Sequence, residues 1–393
     1  MKKILKISIV ASLLATSVYA TNGINLIGIG AKSRAMGGVG IATNLNGENG
    51  YSNPSMITRT ETSIVNLGIN YFDSSVSVET PTFTDLGVPN GQVKEDSDYG
   101  SNFIPSMAFS TKLNENMFIG INIYGTGGMG VDYTDANNMA SGIKDELSIA
   151  TISIPYAYKY QNLSLGFAPL IKYGTLEMPT ITGQNDTSDI GYGFELGLDY
   201  EIQGFTIAAV YKSAVDLEYK DVFSSGTNGN ETLSTPAVIG LGLSYTIGEN
   251  TIAFDYKNIG YGDATGLQDF GWENQNVFAL GYEYNVKTWA IRAGFNYGDV
   301  PFSTDTITNA GSSEASQTFG NLMAFPAVTT THYTLGGTYI IDGHNSIDVA
   351  GVYATGEATA DIDADAFGIG SPAGSVTAVN DQLSLSIGYN YNF

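Results

Sequence analysis

The 393-residue chain sets 16 Lys and Arg against 39 Asp and Glu, a formal net charge of −23, and has no cysteine. That balance excludes a nucleic-acid partner, because neutralising phosphates takes clustered Lys and Arg, and the absent thiols exclude disulfides and thiolate metal sites. Only 14 % of residues are charged, against about 25 % in soluble domains, while 48 are Gly and 25 are Tyr.

Residues 1–20 read as a secretory signal peptide. Lys2, Lys3 and Lys6 start it, Ile7 to Val18 is mostly apolar, and Val18-Tyr19-Ala20 ends it at a small residue. The apolar run is too short to span a membrane. Removal leaves 13 basic against 39 acidic residues, a charge of −26.

Residues 21–60 are rich in Gly and small apolar residues, as in GINLIGIGAKSRAMGGVGIATN, and then turn at SNPSMIT. A Pro directly after Asn favours a turn and blocks helix continuation. Too apolar for a solvated tail, this stretch is expected to act as a hatch inside a barrel, with SNPSMIT as the corner where it meets the wall.

From 61 to 393 the chain alternates. Candidate strands lie near 61–72, 102–111, 116–125, 147–160, 162–174, 190–202, 204–215, 233–246, 249–259, 273–285, 287–298, 330–341, 343–353 and 380–393. That is about fourteen, an even number as in bacterial barrels. Short connections alternate with long ones, which matches periplasmic turns and extracellular loops. No run near 18 apolar residues follows the leader, so no helix is expected to cross the bilayer.

The last strand is the clearest. Leu383, Leu385, Ile387, Tyr389, Tyr391 and Phe393 share one face; Ser384, Ser386, Gly388, Asn390 and Asn392 share the other. The same parity turns Phe194, Leu196, Leu198, Phe278, Leu280, Trp289 and Ile291 outward. It turns Lys172, Glu195, Asp199, Asp255, Lys257, Glu283 and Arg292 inward, where a charge escapes the cost of facing lipid. The expected architecture is an all-β, transmembrane antiparallel barrel in the bacterial outer membrane, plugged by its own N-terminus. Lys32 and Arg34 in the hatch are expected to pair with the lumen acids Glu195, Asp199, Glu283 and Asp255 and pin the plug. The run Gly125, Gly127, Gly128 permits a bend in the third strand, and Pro105 beside it lacks a donor; the same glycines also suit the flexible end of an extracellular loop.

Enzymatic and metal readings have little support. The chain has two histidines, His332 and His344, with no nucleophile spaced around them. Asp361, Asp363 and Asp365 alternate in a long loop but lack the Gly and closing Glu of a Ca2+ loop, so they read as a solvated acidic stretch.

Several segments, in collinear order, resemble the FadL/TodX family of outer-membrane channels for hydrophobic compounds. They are GIGAKSRAMGGVGIA followed by NPSMIT, FIPSMAFSTKLNENMFIGINIYG, YAYKYQNLSLGFAPLIKYG, GYGFELGLDYEI, VYKSAVDLEYK, and ALGYEY with TWAIRAGFNYGDVP. The resemblance implies passive transport without a cofactor, by a barrel that needs no second copy to close. Its cargo would be hydrocarbons, monoaromatics or long-chain fatty acids, and its neighbour outer-membrane lipid. It implies an apolar pocket above a movable hatch and a lateral exit at a kink in the third strand. Carried over, the hatch motif falls on Asn53, Pro54 and Ser55, and the kink on Gly125, Gly127 and Gly128. The basic positions that the family's fatty-acid members use on the fifth and tenth strands fall on Tyr173 and Glu273, with Lys172 adjacent and inward. That departure, with a short loop at 175–189, favours neutral solutes. A general diffusion porin and a structural or adhesive barrel are the alternative functions.

Overall fold

The computed structural model describes residues 22–83, 89–178, 187–220, 222, 229–368 and 371–393; the expected signal peptide lies outside them. Nineteen strands form, in chain order β1 (Ile64–Phe83), β2 (Pro89–Asp96), β3 (Asn102–Lys112), β4 (Met117–Asp132), β5 (Lys144–Ser153), β6 (Tyr156–Tyr160), β7 (Leu163–Glu177), β8 (Thr187–Ile202), β9 (Phe205–Lys212), β10 (Val215–Tyr219), β11 (Glu231–Thr235), β12 (Val238–Ile247), β13 (Asn250–Ile259), β14 (Gln275–Asn285), β15 (Trp289–Gly298), β16 (Thr331–Ile340), β17 (Asn345–Thr355), β18 (Glu357–Ile362) and β19 (Gly374–Asn392). Each wall strand pairs antiparallel with its neighbours, and β1 closes the circle on β19 from Ile64 opposite Asn392 to Glu79 opposite Thr377. β5 and β6 share one wall position, while β2, β10, β11 and β18 belong to the long connections, so the closed barrel has fourteen strands.

Closure follows from the alternation, because a single closed sheet leaves no backbone edge in lipid. Leu385 and Ile387 are more than half exposed on the outer face, while Ser384, Ser386 and Asn390 are buried on the inner one. Two expected strands are each interrupted by a proline. The strand expected at 147–160 breaks at Ile154-Pro155, and the one at 233–246 breaks at Pro236. Neither proline has an N–H for the ladder. Pro236 also frees β11 to leave the wall and pair with β10.

The long connections are not loose. Val76 and Val78 at the tip of β1, Tyr133, Tyr219, Trp272, Leu322 and Val376 belong to one apolar core on the long-loop side. This cap includes a helix, α3 (Ser313–Met323), which we number after two short helices of the inner segment, α1 (Ala31–Ala35) and α2 (Asn49–Ser52).

The inner segment, Asn22 onward, runs through the bore and is almost wholly buried. α1 packs on β16 and β17, and the turn Pro54–Arg59 packs on β7 and β8. It is wedged between opposite walls.

Candidate functional site

The Asn53-Pro54-Ser55 corner is assembled locally. Pro54 opens a 3-10 turn, where its missing N–H costs nothing. The Asn53 side chain accepts from the Ser55 amide at 3.0 Å and the Ser55 hydroxyl at 2.9 Å, and its own amide donates to the Ile41 carbonyl at 2.8 Å. The wall makes room with two inward glycines. A Cβ on Gly197 would lie 2.0 Å from Asn53 Oδ1, and one on Gly166 would lie 2.2 Å from the Ser55 nitrogen. The corner therefore rests on bare backbone of β7 and β8.

The charged residues hold the segment differently from the expected pattern. Lys32 Nζ lies 3.9 Å from Asp348 of β17, and Arg34 donates to Ser384 and to the Gly28 carbonyl. Neither reaches Glu195, Asp199, Glu283 or Asp255, because α1 sits against β16 and β17. Those four acids have other partners. Glu195 is 3.5 Å from Lys212, Asp199 is 3.1 Å from Arg59, and Glu283 is 2.6 Å from Arg292 across β14–β15. Asp255 accepts from the Gly40 and Ile41 amides at 2.8 and 3.0 Å. Lys257 donates to the Ile27 and Gly38 carbonyls, both at 3.2 Å. Asp255 and Lys257 thus grip opposite polarities of the inner backbone, whereas Glu283 and Arg292 brace the wall alone.

Glu48, Arg59, Lys212 and Asp348 are additions to the expected set. Gly30 has no side chain to cap α1, and Glu48 replaces it, accepting from the Lys32 and Ser33 amides. Burial and the nearby Asp348 carboxylate push the Glu48 carboxyl up, against the pull of Lys32 and those amides. Lys212 and Asp348 share the inward parity of their strands. Glu48 and Arg59 lie in a stretch with no periodicity.

The glycine run marks a break in the wall. β3 and β4 pair only from Lys112–Phe118 to Ser106–Tyr124. Beyond that, β3 continues along β1 to Asn102, while β4 bulges between Gly125 and Gly127 and continues along β5. The free side of β4 is taken by the first residues of the inner segment. The Leu26 amide donates to the Thr126 carbonyl at 3.2 Å, and the Gly128 amide donates to the Ile24 carbonyl at 3.0 Å. Leu26 packs with Phe72 and Ile104 in the seam so opened. A Cβ on Gly127 would overlap the Ile24 carbonyl at 2.1 Å. We call residues 22–29 the strap.

Two cavities flank the strap. The larger, a cavity of about 110 Å3, is lined by Tyr51, Tyr124, Ile41, Val210, Val238 and Ile259, with Lys172, Lys212, Lys257 and Glu195. Lys172 Nζ donates to Thr235 at 2.7 Å, and the buried Tyr124 hydroxyl has no hydrogen-bond partner among the described residues. The smaller, about 20 Å3, lies behind the seam and is lined by Pro105, Gly125, Ser106, Gly68 and Ser386. Leu26, Gly28 and Ile29 line both.

A closed barrel with a buried inner segment, an internal chamber and an unzipped seam defines a plugged membrane channel. The chain belongs to the outer membrane protein transport protein family (OMPP1/FadL/TodX), whose model matches residues 9–393. It is therefore a transport protein of the bacterial outer membrane and not an enzyme. It is 21 % identical over 380 residues to outer membrane protein P1 of Haemophilus influenzae, covering 78 % of this chain and 80 % of that one. Among solved structures it shares its fold with a Pseudomonas aeruginosa FadL homologue, with a TM-score of 0.69 and 14 % identity over 94 % of this chain and all of the other. It also shares it with the P. putida toluene transporter TodX, with a TM-score of 0.66 and 17 % identity over 94 % and 99 %.

Proposed function

We propose that the chain takes up hydrophobic compounds passively. They collect in the larger chamber and leave sideways into the outer membrane through the β3–β4 seam once the strap moves. The observation that carries this reading is that Leu26, Gly28 and Ile29 are shared walls of the two cavities. Displacing one short stretch of backbone joins the chamber to the seam. The drive is burial, worth roughly 25 cal/mol per Å2 of apolar surface kept out of water. A sideways exit delivers solute to lipid without returning it to water. The corner at Asn53, Pro54 and Ser55 stays anchored while the strap shifts, and one copy suffices because β1 closes on β19 within the chain.

The chamber lining also changes the preferred solute. Three lysines line it against one carboxylate, and the carboxylate is held by Lys212. Lys172 donates to the Thr235 hydroxyl and shares the field of that one carboxylate with Lys212. Buried ammonium groups that outnumber the acids lining their chamber are costly, and an acidic head on a greasy body relieves that cost. We therefore favour amphiphiles such as long-chain fatty acids over neutral hydrocarbons. The test is uptake in a deletion strain carrying the wild type or Lys172→Met, with a long-chain carboxylate and with toluene. Loss of one charge-assisted bond should slow carboxylate uptake by about tenfold or more and leave toluene unchanged. Equal effects on both solutes would rule out head recognition, and free passage of small hydrophilic solutes would instead favour a general pore.

A further inference from the structure

Tyr261 lies in the long connection after β13, opening a short 3-10 turn, and it is fully buried. Its hydroxyl accepts from the Ile24 amide at 2.8 Å and from the Asn25 side-chain amide at 3.2 Å, and donates to the Asn22 carbonyl at 2.7 Å. One phenol oxygen thus saturates three polar groups of the strap. Gly23 is fitted to it. Its φ is +63°, and a Cβ there would lie 2.3 Å from the Tyr261 oxygen, so no side chain is tolerated at that place.

The other side of Tyr261 faces the cap. Its ring meets Trp272 edge-on at 5.0 Å. The Trp272 indole N–H donates to Asn321 of α3 at 2.9 Å, and the Asn321 amide donates to the Phe270 carbonyl at 2.8 Å. The strap in turn is bonded to β4 at the bulge and just past it, through Thr126 and Gly128. A continuous set of contacts therefore runs from α3 in the cap, through Trp272 and Tyr261, to the strap and the open seam.

We propose that Tyr261 is a latch, a positioning residue through which the cap holds the strap across the chamber, so that the strap is released only when the cap loosens around Trp272 and Asn321. Solute entry through the cap and opening toward the seam are then coupled. A solute that displaces Trp272 from α3 weakens the hold on the strap, and an empty channel stays partitioned. The latch rests on the reading of the strap as the partition, and the test separates the two.

Hydrogen exchange is measured on the purified full-length protein in detergent, for peptides covering 22–30 and, as reference, 45–59 and the wall strands. Tyr261→Phe keeps the ring on Trp272 and removes the hydroxyl. A hydrogen bond contributes roughly 1 kcal/mol, so exchange in the strap should rise by about fivefold to tenfold while the reference peptides do not change. Asn321→Ala, remote from the strap, should raise strap exchange in the same direction by a smaller factor. Gly23→Ala should do so by steric overlap with Tyr261. Unchanged strap exchange in Tyr261→Phe overturns the latch. A loosened strap in Tyr261→Phe with none in Asn321→Ala overturns the coupling to the cap. Uptake of a hydrophobic solute in the same variants reads the partition separately. Faster uptake with a looser strap supports both proposals, whereas a looser strap with unchanged uptake leaves the latch standing and removes the strap as the gate.

Discussion

β8 and the inner segment touch at Gly197, yet they hold their places by different means. β8 is fixed by its ladders to β7 and β9 and by an outer row of Phe194, Leu196, Leu198 and Tyr200. From Glu195 to Tyr200, Gly197 included, its backbone is laddered by the wall on both sides. The segment beside it has no ladder along most of its length. Its backbone polar groups are satisfied one by one, at Gly40 and Ile41 by Asp255, at Ile27 and Gly38 by Lys257, and at Lys32 and Ser33 by Glu48. A ladder opens only as a unit. Point contacts release in pieces, so the enclosed segment can shift while the wall stays closed. That is the physical basis for the proposal that the strap is the gate.

The most direct way to break this contrast is to remove the segment. Deleting residues 22–55 should leave a folded barrel, seen as unchanged β circular dichroism and heat-modifiable mobility. It should convert a closed channel into one with large, steady conductance in planar bilayers. A barrel that fails to form would show that the wall leans on its contents. A barrel that forms and stays closed would show that the cap, and not the segment, is the seal.

The contrast also explains what could be read from the chain alone. β19 declares itself, because Leu385 and Ser386 must face opposite ways and the period is two. The same parity points to Glu195, Asp255 and Lys257, and it extends to Lys212 and Asp348. The segment has no such period, so Glu48 and Arg59 carry no signal until their partners across the bore are known. Tyr261 is one of 25 tyrosines, and only the approach of Gly23 distinguishes it. The cap was legible only as long connections, since Trp272 and Leu322 come together from elements far apart in the chain. Pro155 and Pro236 were visible in their runs, and each marks the point where a ladder had to stop.

A second perturbation strikes the wall and spares the segment. Leu196→Arg places a cation on the lipid face of β8, at a cost of about 2–4 kcal/mol near the bilayer midplane. The expected outcome is a lower urea midpoint for unfolding from lipid vesicles, with single-channel closure intact until the barrel itself unfolds. Leakage appearing before unfolding would mean that wall and segment are coupled more tightly than their separate bonding implies.

The smallest effect comes from two alanines on opposite faces of the sheet. Gly351 lies on the outer face beside Leu385, where a Cβ would meet only the Leu385 side chain at 3.7 Å. Gly351→Ala should change stability by less than about 0.5 kcal/mol. Gly197→Ala drives its Cβ to 2.0 Å from Asn53 Oδ1 and 2.9 Å from the Ser55 nitrogen. The wall strand cannot retreat, because both its ladders are intact, so the corner must move. Overpacking of this kind costs about 1–3 kcal/mol, and here it falls on the segment. Unfolding of the barrel should then be nearly unchanged in both variants. Only Gly197→Ala should show brief channel openings and faster hydrogen exchange at 52–56. Equal behaviour of the two variants would mean that the corner does not depend on the bare backbone of β8, and that the segment is held by its charged contacts alone.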